Sequence, residues 1–366
     1  MLKDLCFEII QTCPNHCKFC SSNSSRDATT IITLEDFKKT IEHFQNNGGV
    51  EEVSLSGGEP FLHPDLFEMV RYCKEAGIRT VIFTSGIQRR EPITEAEKEW
   101  IEKQRKNSLQ EIELHESWNE RLKGNVNRYY ERMLTPPEFG PIPRQDLERL
   151  QELGLDKIVL DYQAYEEETD QELMGRRGLH TYLIDSLIAA RLSGLNVDVH
   201  FIPMKPNYRQ FPDLLECLEI AKVQGISLLN FVPQGRGRVN REELMLSEAE
   251  LREFARILEG ARPNFSGRIR IGIPLLGNVK HLCTAGTEKL DIRYDGTILP
   301  CPAFKEISME TMEKYGIYLW SIYEDLDKVV VPGGKRERPL CQQVYGFCNS
   351  IVKRNTTEQV EIPEER

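Results

Sequence analysis

Apolar and polar positions along the chain change period repeatedly, and the changes outline a series of short strands and helices. Phe7–Gln11 predicts a first, mostly buried strand. Thr33-Leu34-Glu35-Asp36 then resembles a helix-capping box, after which Phe37, Ile41 and Phe44 fall on one helical face. Val53–Ser56 predicts a second strand, Leu66–Ala76 a helix and Thr80–Phe83 a third strand. Leu147–Leu153 (helix), Ile158–Leu160 (strand), Tyr182–Leu192 (helix) and Val197–Ile202 (strand) continue the alternation. Leu214–Ala221 (helix) and Leu228–Val232 (strand) follow, and a last helix opens on the capping box Ser247-Glu248-Ala249-Glu250. Repeated βα connections imply a parallel sheet with right-handed crossovers. Six units are too few to close an eight-fold barrel, so the expectation is an α/β fold, an open partial (β/α)6 barrel over residues 1–274.

Two regions break this rhythm. Residues 91–140 are charged and helix-prone, and carry Trp100, Trp118, Tyr129 and Tyr130 before Pro136-Pro137. They read as a solvated helical insertion whose aromatics dock on the barrel, with a lid or partner-binding element as the alternative. Residues 275–366 hold four of the ten cysteines and are expected to form a small domain of their own.

Composition changes this picture in three ways. A formal net charge of −11 disfavours nucleic acid as the main partner, since phosphate binding needs a basic surface. No apolar run approaches the length of a membrane helix, and the first residues lack the pattern of a signal peptide, so a cytoplasmic protein is expected. In a reducing compartment, clustered cysteines are better read as metal ligands than as disulfides.

The decisive cluster is Cys13-Pro14-Asn15-His16-Cys17-Lys18-Phe19-Cys20, a C-x3-C-x2-C run directly after the first strand, on the expected active rim. Three thiolates this close can ligate three irons of a [4Fe–4S] cube and leave the fourth iron open to a small molecule. A zinc knuckle or buried thiols are the competing reading. The spacing, with Phe19 before the last cysteine, resembles the radical S-adenosylmethionine (SAM) superfamily. Gly57-Gly58-Glu59-Pro60, at the end of the second strand, is similar to the GGEP motif of that superfamily, which binds the methionine amino group. The glycines would let backbone approach a ligand closely, and Glu59 would offer an acceptor to an ammonium group. Thr84-Ser85-Gly86 stands where many relatives have Thr-Asn-Gly, and Asp161 ends a strand where relatives have Ser-Leu-Asp, with Val159 in place of the serine. From Asp170 to Gly175 the family pattern continues, except that Met174 replaces a common arginine. Arg176 or Arg177 is the candidate substitute.

A second constellation starts at Cys283 and reaches Cys301 through an expected hairpin, Ile292–Ile298, turning at Asp295-Gly296. It resembles the opening of SPASM and twitch domains, where such cysteines ligate an auxiliary [4Fe–4S] cluster. With Cys341 and Cys348 the set matches the shorter twitch form with one cluster. A four-thiolate zinc site is the alternative. Cys6, Cys73 and Cys217 read as small buried hydrophobes. Gly235-Arg236-Gly237-Arg238 reads either as an anion-holding turn or as a turn with solvated arginines. His63 and His200 read as structural.

The resemblance implies a cluster on Cys13, Cys17 and Cys20, SAM as co-substrate, and hydrogen abstraction by a 5′-deoxyadenosyl radical. Flavodoxin or ferredoxin would act as reductant. An auxiliary cluster accompanies oxidative chemistry in relatives, so oxidative modification of a ribosomally made peptide is the leading expectation. A small-metabolite dehydrogenation or rearrangement, and a catalytically silent Fe–S sensor or electron carrier, are the alternatives. The chain starts too close to Cys13 for an N-terminal peptide-recognition domain, so leader binding is expected to fall to another protein or to the 91–140 insertion.

Overall fold

The computed structural model describes residues 1–114, 120–272 and 283–329. Strand β1 (Asp4–Ile10), helix α1 (Leu34–Asn46), β2 (Glu52–Gly57), α2 (Leu66–Glu75) and β3 (Arg79–Thr84) form the first units. β4 (Ile87–Arg89), α3 (Glu95–Leu114), α4 (Glu120–Leu134) and β5 (Phe139–Pro141) make up the insertion. The barrel resumes with α5 (Arg144–Glu152), β6 (Lys157–Asp161), α6 (Glu167–Met174), α7 (His180–Leu192), β7 (Val197–Phe201), α8 (Phe211–Ile220) and β8 (Gly225–Leu228). Two four-residue helices, α9 (Arg236–Val239) and α10 (Arg241–Leu244), precede α11 (Glu248–Ala261) and β9 (Arg268–Ile271). The described C-terminal part holds β10 (Lys289–Ile292), β11 (Thr297–Leu299), α12 (Met309–Tyr315) and β12 (Trp320–Ser321).

Ten strands form one sheet in the order β12-β11-β10-β1-β2-β3-β6-β7-β8-β9. From β10 through β9 all neighbours run parallel, as the repeated crossovers require. Alternate residues on each strand face opposite sides. Leu5, Phe7 and Ile9, Val53 and Leu55, Ile158 and Leu160, and Val197, Val199 and Phe201 turn outward. They share one buried core with Phe37, Leu147, Leu214 and Phe254 of the helices. Each such side chain removed from water contributes about 1.5–3 kcal/mol. The intervening positions, among them Glu8, Phe83, Asp161, His200, Ser227 and Asp291, therefore line the interior of the barrel. Helix caps sit where the sequence predicts them: Thr33 accepts the Asp36 N–H, and Ser247 and Glu250 form a reciprocal capping box.

Three features differ from expectation. The sixth strand ends at Leu228 instead of running from there to Val232. The apolar run does not stop, because Phe231 packs with Leu173, Met204 and Leu244 in a separate cluster against which Phe19 lies. A periodicity reading merges the strand with that cluster. β9 adds a seventh parallel strand beyond the predicted six, its inner positions taken by Arg268 and Arg270. The predicted hairpin at Asp295-Gly296 is present, pairing Ile292 with Ile298, but β10 also lies parallel to β1. The C-terminal strands thus prolong the barrel sheet while keeping a small core of Cys283, Ala285, Ala303, Phe304 and Ile317.

The insertion, Gln88–Gly140, is a compact unit in itself. Its two helices are tied by Arg105 Nε–H to Asn127 Oδ1 at 2.9 Å and by the Ser108–Tyr130 hydroxyl pair at 2.9 Å. Trp100 and Tyr129 are exposed. Trp118 lies outside the described residues.

Candidate functional site: a three-cysteine loop at the barrel mouth

The loop bearing Cys13, Cys17 and Cys20 leaves β1 at the carboxyl end of the sheet, where ligand sites of parallel α/β folds gather. Its backbone is held from several directions. Cys13 N–H donates to Ser25 O at 3.0 Å, His16 N–H to Met174 O at 3.0 Å and Lys18 N–H to Leu173 O at 2.8 Å. Cys13 is buried, and Cys17 and Cys20 are half-buried. Burial pushes the Cys13 thiol up to about 12, reinforced by the charge of Glu59. Cys17 is raised by burial and then by Cys13 and Cys20, so the three sulfurs lie within one another's fields. Among the described residues no three Cys, His or carboxylate groups converge tightly enough to hold a single metal ion. A cubane spreads its thiolates over separate irons, and three thiols along one loop are a donor set of that chemistry.

Gly57 and Gly58 lie against the start of this loop. Gly58 N–H donates to Ile10 O at 2.6 Å and Glu59 N–H to Thr12 O at 2.9 Å. A Cβ on Gly58 would sit 2.1 Å from Thr12 O. One on Gly57, where φ is +122°, would sit 2.4 Å from Ile10 O. Both positions exclude side chains through backbone contact. Pro60 is buried and starts a single helical turn.

Glu59 is fully buried and turned toward the end of β3. Its carboxylate accepts from Thr84 Oγ1 at 2.7 Å, Ser85 N–H at 2.8 Å, Ser85 Oγ at 2.5 Å and Phe61 N–H at 3.2 Å. Burial raises its pKa, and these bonds act in the opposite direction. The carboxylate ties Thr84 and Ser85 to the glycine turn.

Arg176, not the exposed Arg177, is the buried arginine. It donates through Nε and Nη2 to the two Asp170 oxygens at 2.8 and 2.9 Å, and through Nη1 to Ser85 O at 3.1 Å. Burial opposes the Asp170 charge, but bonds from His180 and Arg176 hold its pKa below the ordinary carboxylate value. Met174, in the place of the family's arginine, lies with its sulfur 3.8 Å from the Cys17 sulfur.

Asp161 ends β6 with its side chain 39% exposed in the barrel mouth. Desolvation there, then the nearby Glu59 charge, push its carboxyl up to about 7 against the pull of Arg176. His200 Nδ1 is 3.9 Å from Asp161 Oδ1, and the His200 ring centroid is 4.9 Å from that of Phe83. Burial, then Arg270, Lys289 and Lys157, depress His200 to about 3, so the ring is neutral at physiological pH.

Sequence reasoning missed Lys305. Its side chain is almost wholly buried and donates to Glu8 at 2.5 Å, to Ser22 Oγ at 2.7 Å and to Ser21 Oγ at 3.3 Å. It links the C-terminal segment to β1 and to the residues just after Cys20, and no local motif announces it. Cys283 and Cys301 come together in the small C-terminal core, and burial pushes the Cys301 thiol up to about 11. Cys341 and Cys348 lie outside the described residues. Cys6 and Cys73 are buried and Cys217 half-buried, each with a thiol raised by burial.

A partial parallel barrel with a three-cysteine loop at the carboxyl end of its first strand defines a class of fold. Residues 7–115 match the family described as the Radical SAM superfamily. It is 24% identical over 307 residues to a PqqA peptide cyclase of Bradyrhizobium diazoefficiens, covering 82% of this chain and 67% of the cyclase. Streptococcus suis SuiB bound to S-adenosylmethionine superposes with a TM-score of 0.60 at 18% identity, over 89% of this chain and 65% of SuiB. SuiB bound to its precursor peptide SuiA gives the same TM-score at 18% identity, over 89% of this chain and 64% of SuiB. The chain thus spans about two thirds of the length of these relatives. Among the described residues no helix is long and apolar enough to cross a membrane.

Proposed function

We propose that this chain is a radical SAM enzyme that modifies a peptide oxidatively. The observation that carries the reading is the convergence of Cys13, Cys17 and Cys20 with the Gly57-Gly58 turn and Asp161 at one barrel mouth. The three thiols would hold a [4Fe–4S] cluster. When bound and reduced, that cluster supplies the electron that breaks the sulfonium–C5′ bond of SAM and so yields the 5′-deoxyadenosyl radical. The chain's own part is to bind, orient and exclude water. Gly57 and Gly58 offer backbone without side-chain obstruction. Phe19, Pro60, Thr84 and Ser85 shape the wall beside the loop, and Glu59 keeps the last two in place. Asp161, open to the mouth, is the group available to a ribose hydroxyl.

Peptide as substrate is supported by the likeness to the PqqA peptide cyclase and to SuiB with its bound precursor peptide. A twitch-like segment from residue 275 onward would add one auxiliary cluster on Cys283, Cys301, Cys341 and Cys348. Flavodoxin or ferredoxin would supply electrons, in the cytoplasm. The test is anaerobic reconstitution with dithionite and SAM, with 5′-deoxyadenosine measured beside the Cys13→Ala/Cys17→Ala/Cys20→Ala variant. Formation by the intact protein alone is expected. Iron-loaded protein that forms none would make it an Fe–S carrier or sensor.

A further inference from the structure

The Gly235-Arg236-Gly237-Arg238 turn stands apart from the residues that the proposed chemistry uses. Its two arginines have opposite fates. Arg238 is exposed and pairs with Glu306 at 3.4 Å. Arg236 is half-buried and turns toward the cysteine loop, and among the described residues it has no ion pair. Its backbone N–H donates to Cys20 O at 3.0 Å and its Nε–H to Cys17 O at 2.8 Å. One turn later Asn240 Nδ2 donates to Lys18 O at 3.0 Å.

The flanking glycines explain how Arg236 comes so near. At Gly235, where φ is +56°, a Cβ would meet Cys20 O at 2.6 Å. At Gly237 it would meet Val232 O at 3.0 Å and Phe19 O at 3.1 Å. Any side chain at these positions would lift α9 off the loop. The spacing Gly-Arg-Gly is thus a device for laying one arginine against the loop that carries the ligands.

We propose that Arg236 is a positioning residue for the iron–sulfur site: it fixes the carbonyls of Cys17 and Cys20 and holds a positive charge without an ion pair against the loop that carries the three cysteines. This rests on the reading of the loop as a cluster site. Three thiolates on a [4Fe–4S] core leave a net negative charge that grows on reduction, and a fixed guanidinium favours the reduced form. Arg176 is already neutralised by Asp170, whereas Arg236 has no ion pair among the described residues.

The experiment compares the wild type, Arg236→Gln, Arg236→Lys and Asn240→Ala as full-length protein. Iron per chain and the midpoint potential of the cluster are measured by reductive titration followed by electron paramagnetic resonance. Hydrogen exchange of the amides of residues 13–24 is measured on the metal-free chain. Arg236→Gln is expected to lower the midpoint and to speed loop exchange several-fold. Arg236→Lys is expected to restore the potential but not the exchange protection, because an ammonium keeps the charge without the planar fork. Asn240→Ala is expected to loosen the loop and leave the potential in place. A potential in Arg236→Gln equal to the wild type's, with unchanged exchange, overturns the proposal. A wild type that binds no iron would instead sink the cluster reading. In that case the exchange comparison alone decides whether Arg236 positions the loop.

Discussion

The two cysteine regions are built on opposite plans. The Cys13–Cys20 loop is pinned by groups remote in sequence: residues 173 and 174, the α9 segment, and the carbonyl contacts of Gly57 and Gly58. Cys283 and Cys301 are held mostly by neighbours, within a core of five buried residues and a short β10–β11 hairpin. The first loop is therefore shaped by contacts with the folded barrel. The second takes its shape mostly from a short stretch of chain, tied to the rest by the β1–β10 pairing, by Lys305, by the Arg238–Glu306 ion pair and by a bond from Gln234 to Ala303. Preorganisation of this kind suits a loop that must present an open coordination position, since its ligands cannot be gathered by a fourth protein thiolate.

The sharpest way to break this contrast is by ligand replacement. The variant with Cys13, Cys17 and Cys20 changed to Ala is expected to lose 5′-deoxyadenosine formation entirely. Cys283→Ala/Cys301→Ala is expected to keep SAM cleavage while losing part of the bound iron. Equal losses in both, by mass spectrometry of 5′-deoxyadenosine, would end the division of roles.

Next in size is Gly58→Ala. The new methyl meets backbone that cannot step aside, with Thr12 O at 2.1 Å and Gln11 O at 2.6 Å. A destabilisation of about 5 kcal/mol is expected, among the largest for a single substitution, read from urea unfolding. Lys305→Met probes the tie between the regions. It would leave the buried Glu8 carboxylate without its cation, at a cost of about 3 kcal/mol. Unfolding midpoints within error of the wild type would mean that the two regions are mechanically independent.

The smallest effect is electrostatic. Asp161 has its pKa raised to about 7, so the folded chain binds a proton that the unfolded chain releases at lower pH. That group therefore costs no stability below about pH 4, costs progressively more as pH rises to 7, and levels off above. Asp161→Asn is expected to stabilise the chain at pH 8 by about 1 kcal/mol, small because the side chain is partly solvated, and to change little at pH 4. The wild-type and variant difference in Tm across pH 4–8 checks it; a larger gain at pH 4 than at pH 8 would reverse the sign.

Much of the barrel was legible because its outward face repeats one pattern. Phe37, Ile41 and Phe44 needed only helical spacing, and all three are buried. The cysteine loop and the glycine turn were legible because close spacing and backbone contact leave local marks. What stayed hidden depends on distance along the chain. Nothing near Lys305 says that it will reach Glu8, and nothing near Glu59 says that Thr84 and Ser85 will occupy its oxygens. The end of β8 was misplaced because strand and rim packing both use apolar residues, and a one-dimensional pattern cannot separate them. Arg236 lies between these cases, its flanking glycines visible and its target not.

The partners of the N-terminal loop also set an order of events during synthesis. The ribosome makes Cys13, Cys17 and Cys20 first, but Arg236 and Lys305, which complete their surroundings, come more than two hundred residues later. Until then three thiols ride on an emerging chain whose early strands can fold while the mouth of the barrel stays unfinished. On the proposed reading of the loop as a cluster site, delivery of iron and sulfide would be a late step in the life of the nascent protein. A chain that stalls before α9 would carry all three cysteines of the first loop and still lack Arg236, Asn240 and Lys305.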